Sequence, residues 1–403
     1  MVIDISRAKE GMVLERPIYN TNGVVILNSG KVINESIINT LNKNGISTID
    51  VKLSKEEELL LQLDKDIYTT INEQLKNDSI ESLKNLNISK VLENSKRIVN
   101  AILESTEFSY SLLEYKKEND IYNHSVRVAA FASVLAKYYN KSLFKKYNDF
   151  SDLKNSKINI EHLTTAALAH DLGKTFKDKQ FEIRQSNIPD AFKKRLPGIV
   201  NMDLTKFNDD YSPIYTFCIL SDYQSISSET KLMTLLVNEN EKGTGPLQAD
   251  INLLNSDRNF VVASKIIRLC SIYDELLKKV IQNNEPLENI SAALEMYSVN
   301  GLLDKELTEL FINHIPLYSV GVKIKLSDGR YGQVMKTFTE SVNNYKPIVK
   351  VVPTGEIIDL RYETTLTIKE ICSDEISFAE LVARQIIDMN NEITESEEFT
   401  IAR

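Results

Sequence analysis

The chain has 403 residues, of which 42% are hydrophobic and 26% are charged, a composition typical of a globular protein with two or three domains. Asp and Glu number 57 against 48 Lys and Arg, which gives a formal net charge of −9. A chain this acidic is poorly suited to binding a nucleic-acid polymer or an anionic membrane surface, because both depend on Lys and Arg.

The cysteines and the N-terminal sequence indicate the cellular compartment in which the protein is expected. The three cysteines are odd in number and far apart, which argues against a disulfide framework and favours a reducing compartment. The start lacks a basic region followed by an apolar run, and no stretch of about 18 apolar residues occurs. We therefore expect a cytoplasmic protein.

The predicted fold is multidomain and mainly α. Residues 1–53 are predicted to form a small N-terminal α+β module, because short β-rich runs alternate with turns and a short helical pattern follows. Residues 54–118 have helical spacing and are predicted to be a connector, either packed on the next domain or pairing two chains as a homodimer. The rest is predicted to comprise a helical domain at 119–311, a β-rich extension at 312–371, and a helix with an acidic tail at 372–403.

Within the helical domain, apolar spacing predicts helices over 122–139, 163–172 and 260–281. His170 and Asp171 are adjacent at the C-terminal end of the second of these helices. An imidazole and a carboxylate side by side can both reach one divalent cation. The alternative is a capped helix end in which both side chains are satisfied by hydrogen bonds.

A second acidic and histidine pair lies at the start of the first helix. Asp120 and His124 are four residues apart, so both side chains leave one helix face, as paired metal ligands must. The alternative for His124 is a core histidine with a satisfied ring. The other two histidines, His162 and His314, are interpreted as structural or surface residues.

Taken in chain order, these residues resemble the HD-GYP family, a group of HD-superfamily phosphodiesterases associated with cyclic di-GMP. Asp120-Ile121-Tyr122-Asn123-His124-Ser125 is similar to the acidic-x-x-x-His-Ser start of the family, and residues 166–174 resemble its central His-Asp box. Glu239 with Gly243-Thr244-Gly245-Pro246 resembles the segment that gives the family its second name. The resemblance covers most of the chain.

The resemblance implies an HD-type helical bundle holding two or three iron or manganese ions that activate water for attack on a phosphodiester. Carried over by position, the metal ligands are Asp120, His124, His170 and Asp171. The implied catalytic residues are Asp171 and Lys174. The implied substrate-binding residues are Lys174, Glu239, Gly243 and Gly245.

The sequence departs from the family pattern at roughly half of the expected ligand positions. Ser212-Pro213 stands where the family has His-Pro, and Val237-Asn238-Glu239 stands where it has His-His-Glu. Ser271 replaces the aspartate of the late helix. Asp274, one helical turn further on, is either a substitute ligand or merely a solvated or structural carboxylate, and the second interpretation is favoured.

Three functions are compatible with this pattern. The favoured one is a degenerate HD-GYP-like protein of bacterial cyclic dinucleotide signalling, which binds a nucleotide or docks signalling proteins and has little phosphodiesterase activity. One alternative is an active metal-dependent phosphodiesterase acting on cyclic di-GMP or a related phosphodiester. The other is a non-enzymatic structural adaptor.

Overall fold

A computed structural model describes residues 2–52 with short gaps, and then 74–104, 121–146, 156–176, 194–198, 209–318, 321–337 and 346–372, omitting 284, 286, 353 and 364. This part of the chain is mainly helical and ends in a β-sheet, which confirms the predicted fold class. The predicted C-terminal helix and acidic tail lie outside the described residues. None of the helices within the described ranges is long and apolar enough to cross a lipid bilayer.

The N-terminal residues form two small antiparallel strand pairs and one helix. β1 (Val2–Asp4) pairs with β4 (Thr48–Asp50), and β2 (Ile18–Tyr19) pairs with β3 (Val25–Leu27). Helix α1 (Glu35–Lys43) begins after Asn34, whose side chain accepts a hydrogen bond from a first-turn backbone N–H. A core of their own holds these elements together, built from Ile5, Leu14, Ile33, Leu41, Ile49 and Val51.

The described part of the predicted connector consists of helices α2 (74–84) and α3 (Ile88–Glu104). Both helices contribute to the core of the following helical domain through Leu75, Leu83, Ile88, Val91, Ile98 and Ile102. The Lys137 ammonium also donates to the carbonyl of Ile102 at 2.9 Å. Residues 74–104 therefore pack on the helical domain, which is the first of the two arrangements considered for the connector.

The helical domain is built around one long helix. Its helices are α4 (Ile121–Lys146), α5 (Ile160–Ala169), α6 (Ser212–Ser221), α7 (Ser228–Leu235), α8 (Ile251–Leu254), α9 (Asn259–Asn283), α10 (Glu288–Val299) and α11 (Lys305–His314). Helix α4 packs against α3, α5, α9 and α11. Its middle, residues 126–136, is buried on all sides, and the alanines in this run let the neighbouring helices approach closely.

The predicted helices over 122–139, 163–172 and 260–281 correspond to α4, α5 and α9. Helix α5 ends three residues before the predicted position, at Ala169, and a 3-10 helix follows over Leu172–Phe176. Asn159 begins α5, because its side chain accepts the backbone N–H of His162. The tightened turn after Ala169 carries the His-Asp pair out of the helix.

The C-terminal region is a five-stranded antiparallel sheet. Its strands are β5 (Lys323–Leu326), β6 (Tyr331–Lys336), β7 (Ile348–Val352), β8 (Ile357–Asp359) and β9 (Ile368–Ile371), in the order β8-β7-β6-β5-β9. Gly329 provides the positive φ of 89° required by the predicted turn between β5 and β6. Inward residues of the sheet, such as Ile324 and Val349, belong to the same core as the helices.

Candidate metal centre

The structure brings together three of the predicted metal ligands, His124, His170 and Asp171. One donor atom from each lies within 4.8 Å of the others. Nε2 of His124 is 3.7 Å from Oδ2 of Asp171, and Nε2 of His170 is 3.6 Å from the same oxygen. The packing of α4 on α5 produces this arrangement, because His124 lies in the first turn of α4 and the other two residues follow the end of α5. The fourth predicted ligand, Asp120, lies outside the described residues.

His170 presents a buried nitrogen lone pair to this cluster. Its Nδ1–H donates to the carbonyl oxygen of Ala167 at 2.7 Å. Burial lowers the pKa of His170 to about 4, although the neighbouring Asp171 opposes the shift, so the ring is neutral at physiological pH. Among the described residues its buried Nε2 finds no hydrogen-bond partner. A neutral, unpartnered imidazole nitrogen is the donor that a divalent metal requires.

His124 is oriented by Asp274, a buried carboxylate of helix α9. Nδ1 of His124 lies 2.7 Å from Oδ2 of Asp274. Burial would raise the pKa of Asp274, but Arg127 and the hydrogen bond with His124 outweigh it and lower the pKa to about 2. Because Asp274 is ionised, we infer that Nδ1 of His124 carries the proton and that Nε2 is left as the acceptor facing Asp171.

Arg127 holds the other side of Asp274 with two hydrogen bonds. Its Nε donates to Oδ1 at 2.6 Å and its Nη2 donates to Oδ2 at 2.9 Å. Arg127 was not among the residues predicted from the sequence, although it is the single charge in the apolar run 126–136 and a buried arginine requires an anionic partner. Asp274 is thus a structural carboxylate, as favoured, but it is buried rather than solvated.

Asp171 completes the cluster and is joined to Lys174. Burial alone would raise the pKa of Asp171, but His170, Lys174 and His124 together lower it below its ordinary value. The Lys174 ammonium donates to Oδ2 at 2.9 Å. The side chain of Lys174 is half-buried, so its ammonium stands at the edge of the cluster.

The three ligands fit a divalent metal by their chemistry. Two imidazoles and one ionised carboxylate form a donor set found in sites for iron and related metals. Each imidazole also donates its other N–H to a fixed acceptor, which sets the tautomer as in known metal-binding histidines. His124, His170 and Asp171 are therefore the residues that would hold the metal.

Two positions where the resemblance leads one to expect further ligands carry serines. The hydroxyl of Ser271 lies 3.2 Å from Nε2 of His124 and can donate to it. Ser212 is buried, and no hydrogen-bond partner of its hydroxyl occurs in the described part of the chain. A serine hydroxyl is a weak ligand compared with carboxylate or imidazole, so the set of strong donors is smaller than the resemblance implies.

Glu239, predicted to bind substrate, has both carboxylate oxygens engaged by its own loop. Oε1 accepts the backbone N–H of Leu247 at 2.7 Å, and Oε2 accepts that of Ala249 at 2.9 Å. Gly245 packs against this carboxylate, since a Cβ there would lie 2.5 Å from Oε1. Gly243 has a φ of 64° in the same loop. Their role in substrate binding stays a prediction, and the observed contacts are those of a loop support.

The other two histidines lie apart from the cluster. Nδ1 of His162 is 3.1 Å from Oε2 of Glu229, at the packing of α5 on α7. The ring of His314 lies 4.4 Å from the ring of Tyr138. Neither belongs to the group of possible metal ligands among the described residues.

Comparison with known proteins identifies the domain. Residues 121–198 match the family model described as HD domain. A solved structure, Bd1817, a HDG"Y"P protein from Bdellovibrio bacteriovorus, is similar with 15% sequence identity and a TM-score of 0.41, over 77% of this chain and 97% of that chain. No curated protein sequence matches.

The match spans His124, His170 and Asp171, so the cluster lies within the segment that defines the domain. The chain therefore contains an HD domain at residues 121–198. The predicted resemblance to the HD superfamily, drawn from the His-Asp box, is confirmed for this segment.

Proposed function

We propose that this protein is a degenerate HD-GYP-like regulator of bacterial cyclic dinucleotide signalling. In this proposal it holds one divalent metal, iron or manganese, and binds a cyclic dinucleotide such as cyclic di-GMP with little phosphodiesterase activity. The observation that carries the proposal is the donor set: His124, His170 and Asp171 are arranged as ligands, while a serine hydroxyl faces the same nitrogen of His124.

The charge of the donor set argues against a fully active centre. Asp171 is the only carboxylate of the described cluster, and its Oδ2 also accepts from Lys174. Among the described residues, a divalent ion there would be compensated by this one carboxylate, which is shared with an ammonium. Ser271 adds no charge, and Ser212 supplies only a hydroxyl where the resemblance implies an imidazole.

The residues of the cluster have separable roles in this proposal. When bound, the metal would supply a Lewis acid beside the phosphate. His124 and His170 would each offer it an imidazole nitrogen, and Asp171 would supply the compensating charge. Lys174, at the edge of the cluster, is positioned to exchange its bond with Asp171 for a phosphate oxygen of the ligand.

One observation favours the alternative of an active phosphodiesterase. The orientation of both imidazoles is preserved by buried partners, Asp274 for His124 and the Ala167 carbonyl for His170. Hydrogen bonds of this kind hold the imidazole rings in the orientation that metal binding requires. The activity assay below separates the alternatives.

The test is hydrolysis of cyclic di-GMP with added Mn²⁺ or Fe²⁺, combined with calorimetric titration of the same nucleotide. The wild type should bind the nucleotide and release product no faster than the His170→Ala variant. Ser271→Asp restores a carboxylate beside His124 and should gain turnover, whereas the isosteric and neutral Ser271→Asn should not.

Wild-type turnover faster than that of His170→Ala would contradict the regulator and support the active enzyme. If the calorimetric titration detects no heat of binding at a high micromolar protein concentration, nucleotide binding would be contradicted.

A further inference from the structure

The hydroxyl of Thr216 joins helix α6 to the turn that carries the His-Asp pair. Oγ1 of Thr216 donates to the carbonyl oxygen of His170 at 3.0 Å and accepts the backbone N–H of Gly173 at 2.9 Å. Thr216 is 0% exposed, so water cannot replace these bonds. Threonine in a helix often bonds the carbonyl four residues earlier, but here the single hydroxyl proton goes to a different element.

The two backbone groups held by Thr216 lie on either side of Asp171. Helix α5 ends at Ala169, so the carbonyl of His170 is among those that lose their helical partner. The N–H of Gly173 lies in the first turn of the 3-10 helix that follows. One side chain therefore satisfies both ends of the segment from which Asp171 projects.

Close packing fixes the same segment from a second direction. A Cβ at Gly173 would overlap the carbonyl oxygen of Ser212 and lie 2.9 Å from Cβ of Tyr215. Only glycine allows α6 to approach the turn this closely. The position of the turn relative to α6 is thus set by the hydrogen bonds of Thr216 and by contact at Gly173.

The metal ligands depend on the position of this turn. His170 is tied to the carbonyl of Ala167 in the last turn of α5, and Asp171 is tied to Lys174 in the 3-10 helix, so both side chains move with the backbone around the turn. His124 belongs to a different helix. The 3.7 Å separation of its Nε2 from Oδ2 of Asp171 therefore depends on how the backbone of the turn is held.

We propose that Thr216 is a positioning residue for the metal centre, acting through the backbone of His170 and Gly173. The inference rests on the metal site of the proposed function and adds a residue outside the ligand set. If this inference is right, loss of the Thr216 hydroxyl displaces the metal ligands His170 and Asp171 even when helix α6 remains folded.

The experiment compares Thr216→Val, which keeps the shape and removes the hydroxyl, with Thr216→Ser, which keeps the hydroxyl. Thr234→Val is the matched control, because Thr234 is also 0% exposed but its hydroxyl, within the described part of the chain, donates only inside its own helix, to the carbonyl of Lys231. Mn²⁺ affinity is measured by titration with detection of the free ion, and the thermal stability of the metal-free proteins is measured in parallel. Imidazole ¹⁵N spectra of the metal-free proteins report the environment of His170.

Thr216→Val should weaken Mn²⁺ binding by about 10-fold or more, as found for outer-shell partners of metal ligands. Thr216→Ser should bind close to wild type, and Thr234→Val should lose stability without losing affinity. Equal affinity of Thr216→Val and wild type would overturn the inference, as would equal weakening in Thr234→Val. If the wild type binds no Mn²⁺, the proposed metal site is refuted independently of the role of Thr216. In that case, His170 signals that are the same in metal-free Thr216→Val and metal-free wild type would overturn the positioning role.

Discussion

The buried pair of Asp274 and Arg127 makes a quantitative prediction for the Asp274→Asn variant. A pKa of about 2 against the ordinary 3.8 corresponds to about 2 kcal/mol in favour of the charged form. Because the folded-state pKa is depressed, this stabilisation is fully present above the ordinary pKa of 3.8 and is lost as the pH falls from there through about 2. The substitution also removes the Asp274 carboxylate to which the buried Arg127 donates two hydrogen bonds, and breaking a buried pair of this kind costs about 3 kcal/mol or more.

We therefore expect Asp274→Asn to lose about 3 kcal/mol, or roughly 6 to 12 °C in the melting temperature of the helical domain. Thermal unfolding followed by circular dichroism measures the change. Glu275→Gln is the matched control, since it removes the same charge from the next, exposed position of the same helix. If Asp274→Asn melts within a degree or two of this control, the proposed contribution of the buried pair is refuted.

Two further substitutions test other parts of the structure. Glu239→Gln removes a charged acceptor from one of two backbone N–H groups and should destabilise the protein by about 1 to 3 kcal/mol, with Mn²⁺ affinity unchanged. A loss of Mn²⁺ affinity would show that Glu239 is more than a loop support. Ile98→Ala in α3 should cost about 2 to 4 kcal/mol because the side chain is 0% exposed, whereas Leu103→Ala, at a position 54% exposed, should cost far less. Equal losses, measured by chemical unfolding, would contradict the packing of α3 on the helical domain.

The parts of the site that lie close together in sequence were predictable. His170 and Asp171 are adjacent at a helix end. The spacing of apolar residues in the first helix predicts that His124 faces inward, so local sequence patterns were sufficient to predict these three residues. The same applies to the strands of the C-terminal sheet, where alternation and the turn at Gly329 are local signals.

The partners that orient these ligands were not predictable, because they come from distant parts of the chain. Asp274 is 150 residues from His124 in sequence, and Thr216 is 46 residues from His170. Their positions depend on how α6 and α9 pack against α4 and α5. This packing cannot be predicted from local patterns in a single sequence. Spacing within α9 placed Asp274 one turn from Ser271, but it gave no indication that the carboxylate is turned toward Arg127 and His124.

The central claim is that His124, His170 and Asp171 hold a divalent metal. The most direct measurement is the metal content of purified protein after reconstitution with Fe²⁺ or Mn²⁺, for wild type, His170→Ala and His162→Ala. His162 is the matched control, because it is a histidine of the same helical domain that lies outside the cluster. We predict about one metal per chain in the wild type and in His162→Ala, and almost none in His170→Ala. Wild-type protein that stays metal-free, or His170→Ala protein that retains the wild-type metal content, would contradict the claim.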